Sequence, residues 1–434
     1  MSKNRWVAAA VVAASAVALG GCSAGAESTG DRELVLWHME STPNRVAVFN
    51  DIAEQYNATD PEYPVKIQVQ EWDQVYAKIA AAAQSGDQPD ILFSIPDFTT
   101  YVRQLGLGQP VTDMVEAIDG EKGISETASQ PYFDDDEYWA VPLYGMVQML
   151  WYRGDMLEEA GVTPPRTWDE LLAAAEALTT DDHSGIAIPA GKNLASDQVI
   201  YSLMTTGGAA DFFTEDGGIN FDTPETVAAY ELYNELLKYS PTDSGAYAWG
   251  EPQAAFNSGA AAMAIEKGQY LSPFEAESGR PGSDLGCLPI PVKDEGGEPG
   301  SIYYSNGAMV LSDDQAHMDG ASEFFDWLLQ PEQYSEFLNA EPGLFLPVTE
   351  DEESAASWRA SDVVSQYPEC VDAMLEQAET GELFGFVDGQ YIDVVGEISG
   401  QNFLAQGVQE MYVNGKSPEE AVAWTQQQMQ DAIE

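Results

Sequence analysis

Residues 34–95 read LVLWHMESTPNRVAVFNDIAEQYNATDPEYPVKIQVQEWDQVYAKIAAAAQSGDQPDILFSI, and their pattern sets the fold class. Leu34 to Trp37 is a short apolar run, read as a first strand. Arg45 to Tyr56 places Val46, Phe49, Ile52, Ala53 and Tyr56 at helical spacing, and Asn57 closes the helix. Val65 to Val69 alternates as a second strand. Trp72 to Ala83 repeats the helical pattern at Trp72, Val75, Tyr76, Ile79 and Ala83, and Gly86 and Pro89 end it. Asp90 to Ile95 is a third strand. This β-α-β-α-β order predicts an α/β domain with a mostly parallel sheet. Such sheets meet ligands at the loops beyond the strand C-termini. Trp37, His38 and Glu40 follow the first strand, Glu71 and Trp72 the second, and Phe93, Ser94 and Asp97 the third. These eight are candidate binding residues.

A second unit follows. Val147 to Tyr152 is strand-like, and Met156 to Ala160 is a short helix stopped by Gly161. Thr167 and Glu170 form a capping box for a helix over Trp168–Leu178. Further helices are predicted at Ser196–Met204, Pro224–Lys238 and Gln253–Asn257, and strands at Ala261–Ile265, Leu285–Ile290 and Ala308–Leu311. Helices then dominate: Ala316–Leu329, Pro331–Leu338, Ser361–Glu379, Ile392–Asn414 and Pro418–Ile433. No long linker separates independent domains, so two interleaved lobes are expected.

The N-terminus carries Lys3 and Arg5, an apolar run from Trp6 to Leu19, and then Leu19-Gly20-Gly21-Cys22. Positive flank, short apolar core and small residues at the cut describe a secretory signal over residues 1–21. A small pair followed by Cys resembles the bacterial lipobox, with Cys22 lipidated as the first mature residue and residues 22–30 as a tether. The chain is then extracytoplasmic and held to the cell membrane by lipid. It has 17 Lys+Arg against 73 Asp+Glu, a net charge of −56. That field repels nucleic acid and anionic headgroups. Beyond Cys22 the cysteines are Cys287 and Cys370. In an oxidising compartment they are either a disulfide or two separate buried thiols. His38, His183 and His317 are far apart in sequence, so no metal site is expected.

No catalytic motif stands in a suitable context. Gly-X-Ser-X-Gly is not met between a strand and a helix; Gly21-Cys22-Ser23-Ala24-Gly25 lies in the signal and tether. Asp134-Asp135-Asp136-Glu137 lacks the alternation and central Gly of a calcium loop and reads as a solvated acidic turn. There is no phosphate loop or dinucleotide fingerprint. No cofactor is expected.

Four stretches now acquire a common reading. They are AAAQSGDQPDILFS (81–94), VPLYGMVQMLWYRGDMLEEAGVTPPRTWDELLAAAEALT (141–179), AAFNSGAAAMAIEKGQY (254–270) and NGKSPEEA (414–421). Together they closely resemble the extracellular solute-binding proteins (family 1) of ATP-driven importers, in the maltose-binding-protein-like branch that takes sugars and oligosaccharides. Arg153-Gly154 stands where that family often has Asn-Lys, and Tyr270 where Trp is commoner. The resemblance implies a two-lobed, type II periplasmic-binding-protein-like α/β fold with three hinge crossings. By the matching motifs these fall near Tyr138–Met146, Cys287–Val292 and Phe337–Pro347. The lobes then divide as 31–140 and 288–345 for the first, 141–287 and 346–434 for the second. Tyr144 at the first crossing, Trp249, Tyr270 after the Gly268 turn, and Asn306 join the candidate binding residues.

The implied function is a monomeric receptor, not an enzyme, that closes on a sugar and delivers it to the transmembrane permease of an ABC importer. Aromatic faces suit the C–H faces of a sugar, and Asp, Glu, Asn and Gln suit its hydroxyls. Beside a sensor or adhesin, two further alternatives stay open. One is an anionic solute of the glycerol-phosphate type, with Arg45 and Arg103 near the first-lobe loops. The other is an extracellular glycosidase.

Overall fold

A computed structural model describes residues 32–214, 217–387, 390–392 and 394–434. The signal, Cys22 and the tether lie outside the described residues. The first strands follow the sequence pattern: β1 (Leu34–His38), β2 (Val65–Val69) and β3 (Ile91–Ser94), with β1 parallel to both neighbours. Helices Pro43–Asn57 and Trp72–Ser85 connect them. The second ends at Gly86, whose φ of 76° suits the left-handed cap.

A small hairpin, β4 (Phe133–Asp134) and β5 (Glu137–Tyr138), follows. Its central Asp135 and Asp136 both have positive φ, the backbone of a type I′ turn. Strand β6 (Val141–Val147) is buried throughout. After one residue, Gln148, the chain enters β7 (Met149–Arg153), which belongs to a second sheet with β8 (Met263–Glu266) and β9 (Leu285–Leu288). Strand β10 (Ser301–Val310) returns to the first sheet. It lies antiparallel to β3 on one side and to β6 on the other. Strand β11 (Gly381–Glu382) adds to its start in parallel.

The first passage between sheets therefore lies after Val147, not within Tyr138–Met146. Residues 141–147 pair with the first sheet. The second passage runs from the end of β9 to β10. The third does not occur within Phe337–Pro347. Leu346 there bonds both ways to Gly145 of β6, at 2.9 Å each, and helix Glu352–Arg359 still packs on Pro331–Leu338. The chain reaches the second sheet with helix Pro368–Glu379, which packs on β9. Helical periodicity shows that a face is buried but not which sheet it covers, so the lobe boundaries shift while the number of crossings stands. The long C-terminal helix expected over Ile392–Asn414 is two, Val395–Ser399 and Phe403–Tyr412, broken at Asn402 with φ 56°.

Cys287 of β9 and Cys370 of that packing helix are bonded, with Cα atoms 5.6 Å apart. Of the two readings left by the sequence, the disulfide is the one present. It closes a loop of sequence separation 83. Constraint of the unfolded chain by a loop of that length contributes about 4 kcal/mol. Unreduced protein treated with alkylating agent should therefore keep both thiols unlabelled by mass spectrometry. The C287S/C370S double variant should lose about 4 kcal/mol in urea unfolding.

Candidate functional site

A cavity of about 320 Å³ lies where the C-terminal ends of β1, β2 and β3 face the second lobe. The loop after β1 supplies Met39, Glu40, Ser41 and Thr42, and the helix that follows supplies Arg45. The turn after β2 supplies Glu71 and Trp72, the end of β3 Ile95, and β10 Tyr304 and Asn306. The opposite wall comes from the second lobe. Helix Leu194–Gly207 gives Leu194 and Gln198, and the start of helix Gly250–Asn257 gives Trp249, Gly250 and Gln253. The turn after β8 gives Lys267 and Gln269. That turn is held against the loop that follows helix Pro331–Leu338: a Cβ on Gly268 would come 1.8 Å from the Gly343 carbonyl oxygen, so only glycine fits.

Charge inside the cavity is paired. The Glu40 carboxylate accepts from Tyr144 Oη at 3.0 Å and from Arg45 Nη1 at 2.8 Å. Arg45 Nε donates to Glu341 at 3.1 Å. The guanidinium thus lies between two carboxylates. Across the cavity, Lys267 Nζ donates to Gln198 Oε1 at 2.8 Å and sits 3.7 Å from the centre of the Trp249 ring. Burial pulls this ammonium down to about 8, against the Glu266 carboxylate beside it, which favours the charge. Ser41 donates to the exposed Glu71 at 3.0 Å. The walls therefore offer two half-buried indoles, Trp72 and Trp249, one from each lobe, with carboxylate and amide groups between them. Such walls suit a ligand with apolar faces and a hydroxyl rim.

Of the twelve candidate residues, Glu40, Glu71, Trp72, Trp249 and Asn306 line this cavity. The other seven do not. His38 shares the buried face of β1 with Leu34 and Leu36, because strand side chains alternate, and stacks on Phe49 at 4.3 Å. Trp37 takes the other face, where its Nε1 donates to Gln68. Phe93 packs edge-on to Phe49, and Ser94 pairs with Thr99 at 2.7 Å. Asp97 is buried and accepts from Ser399. Tyr144 stands behind Glu40 and positions it. Tyr270 is fully buried, stacked on Trp151 at 5.1 Å and edge-on to Phe256. Its ring completes the core under β7 rather than the cavity wall. Arg103 lies on another surface, paired with Asp134 and 4.0 Å over Trp139.

Arg45, Lys267, Gln198, Gln253 and Gln269 are cavity residues that the candidate set lacks. Two of them carried a signal: a basic residue in a chain with only 17 of them has few unplanned places. The glutamines carried none, because their role depends on which helix faces the cleft.

The comparisons now fit this geometry. Residues 40–335 match the bacterial extracellular solute-binding protein family. The chain belongs to that family. Its fold is the type II periplasmic-binding-protein fold, and its class is the solute-binding receptor of ABC transporters. An Escherichia coli (strain K12) protein whose name assigns it to ABC transporter periplasmic-binding proteins is 23% identical over 92% of both chains. The arabinooligosaccharide-binding protein of Halalkalibacterium halodurans is 25% identical over 72% of this chain and 71% of its own. A solved sugar transporter protein of Arthrobacter chlorophenolicus A6 with bound laminaribiose superposes with a TM-score of 0.76 at 18% identity, covering 92% of this chain and 99% of that one. This family is one of transporter binding proteins, not enzymes. Among the described residues no helix is long and apolar enough to cross a membrane.

Two outcomes follow from the residues found in the core. Tyr270→Ala should destabilise the solute-binding protein by about 3–5 kcal/mol through the cavity it leaves. Chemical unfolding measures this, and a loss under 1 kcal/mol would place the ring elsewhere. Burial lowers His38 from 6.5 to about 4. The unfolded chain therefore takes up the proton first, and stability is lost as pH falls from about 6.5 to 4, by about 3 kcal/mol at the lower end. Urea melts of wild type and His38→Asn should show the wild type losing that amount relative to the variant between pH 7.5 and pH 4. A constant difference would mean the imidazole does not titrate with unfolding.

Proposed function

We propose that this receptor captures a neutral sugar or oligosaccharide between its lobes and delivers it to the permease of an ABC importer, tethered to the cell membrane through lipidated Cys22. One observation carries the reading. A single cavity has an indole from each lobe, Trp72 and Trp249, with Glu40, Asn306, Gln198, Gln253 and Gln269 between them. A saccharide presents C–H faces to such rings and hydroxyls to such a rim. The arabinooligosaccharide-binding relative and the laminaribiose-bound neighbour support the same class of ligand.

The anionic alternative is less well served. Arg45 is already engaged by Glu40 and Glu341, and Arg103 is not among the residues of the cavity. Lys267 is offset by the buried Glu266. The glycosidase alternative needs a pair of acids flanking the ligand; Glu40 has both oxygens hydrogen-bonded within the protein, and Glu71 stands exposed at the open end beside Ser41.

A ligand touching both walls favours the closed arrangement, which drives hinge closure. A thermal-shift screen of neutral mono- and oligosaccharides should yield at least one binder. For that binder, Trp72→Ala and Trp249→Ala should each raise Kd roughly ten- to hundredfold by calorimetry, about 1–3 kcal/mol. Both rings are half-buried, so the variants should melt near the wild type. Two unchanged dissociation constants would take the indoles out of the site.

A further inference from the structure

We propose that the binding cleft is closed at one end by the chain's own residues 395–405, so that the receptor holds the one or two rings at a saccharide's chain end rather than an internal stretch of a longer chain threading through. This rests on the sugar reading above. At the open end, the cavity wall is made of exposed residues, Ser41, Thr42, Glu71 and Gly250. At the other end, Leu194, Gln198 and Tyr304 are shared with a second void of only about 10 Å³, bounded by Asp197, Phe384 and Ser399. A void of that size holds about one water molecule. It cannot take a sugar ring.

The stopper is anchored to both lobes. Ser399, at the end of helix Val395–Ser399, donates to the carboxylate of Asp97, which follows β3. The backbone N–H of Ala405 donates to Asp197 Oδ1 in helix Leu194–Gly207, at 2.5 Å. One buried carboxyl from each lobe is thus bound by the same short stretch of chain. The stretch also lies flat on the first lobe. A Cβ on Gly396 would sit 3.3 Å from the Tyr101 backbone, and one on Gly400 3.4 Å from the Tyr76 ring. To extend past Gln198, a further sugar ring would have to lift this segment and strip Asp97 and Asp197 of their donors. Burial raises the pKa of both carboxyls, the mark of a site where the charged form has little solvent to support it. Leaving such groups unpartnered is costly. The main cavity, about 320 Å³, lies at the small end of the roughly 300–1,000 Å³ range of ligand sites.

The test is a length series on the full chain by calorimetry. The probes are glucose, xylose and arabinose, with the di-, tri- and tetrasaccharides of the maltose, cellobiose, laminaribiose and α-1,5-arabinobiose series. In any series that binds, the disaccharide should carry nearly all of the affinity: lengthening it to the tetrasaccharide, whose added rings can only leave by the open end, should change Kd less than threefold. A tri- or tetrasaccharide that differs from its disaccharide by tenfold or more overturns the proposal while leaving the sugar reading intact. No binding by any member removes the sugar reading itself and this inference with it. Ser399→Ala supplies a second readout. With the anchor to Asp97 gone, the ratio of tetrasaccharide to disaccharide Kd should fall severalfold. A merely structural serine would change both affinities together and leave the ratio where it was, against the proposal.

Discussion

The antiparallel pairing of β6 with β10 is the constraint on which the rest of the molecule depends. Both strands are buried along their whole length. Strand β6 ends one residue before the second sheet begins, so its position sets where that sheet starts. Strand β10 brings the chain back and places Tyr304 and Asn306 on the cavity floor. The loop after helix Pro331–Leu338 is fixed to the same pair through the two bonds between Gly145 and Leu346. Closeness is enforced by composition: a Cβ on Gly145 would come 2.3 Å from the Tyr303 hydroxyl. Tyr132 ties this pair to the parallel strands, with its hydroxyl 2.7 Å from the Ser305 carbonyl oxygen and 3.1 Å from that of Ser94. The first two crossings therefore leave from the same end of one strand pair, where Val147 stands opposite Tyr303, and a hinge there can move the lobes while leaving each cavity wall intact.

The electrostatics of the cleft differ from those of the surface. A net charge of −56 spreads over the outside, where water and salt screen it. Within the cleft, Arg45 and Lys267 are each matched by carboxylates, Glu40 and Glu341 for the first and Glu266 for the second. Such pairs stabilise a fold weakly, because desolvation offsets much of their attraction. Their consequence here is orientation. Tyr144 and Arg45 hold Glu40 in one rotamer, and Gln198 and Trp249 hold Lys267. A rim fixed before the ligand arrives loses less entropy on binding. Across the cleft Lys267 meets both an opposite charge, Glu40, and a like one, Arg45.

The disulfide and the one-ended cleft share a physical logic. The C-terminal third of the chain wraps both lobes, and each of its contacts joins residues far apart in sequence: Cys370 to β9, Gly381–Glu382 to β10, Ser399 to Asp97, Ala405 to Asp197. A segment that touches both lobes restricts the cleft between them. The covalent link fixes the start of that segment, and the buried carboxyls fix its middle.

Much was legible from residues 34–95 alone. The β-α-β-α-β order, the parallel sheet and the ligand side of its strands follow from local spacing, and local spacing depends only on neighbours in sequence. The capping box at Thr167 was legible for the same reason. So was the place of Glu40, Glu71 and Trp72, since a loop after a parallel strand has one side to face. What tertiary structure decided was every question of which surface meets which. The sequence cannot show that β6 joins β10, that helix Glu352–Arg359 stays with the first lobe, or that residues 395–405 stop the cleft. Each depends on contacts between residues far apart in the chain. Tyr270 shows the limit at a single side chain. Its motif put it beside the ligand, but Trp151, 119 positions earlier, offers a flat apolar face, and burying one ring on the other is worth more than leaving it in a wet cleft. Local chemistry chose the elements, and long-range packing chose their partners.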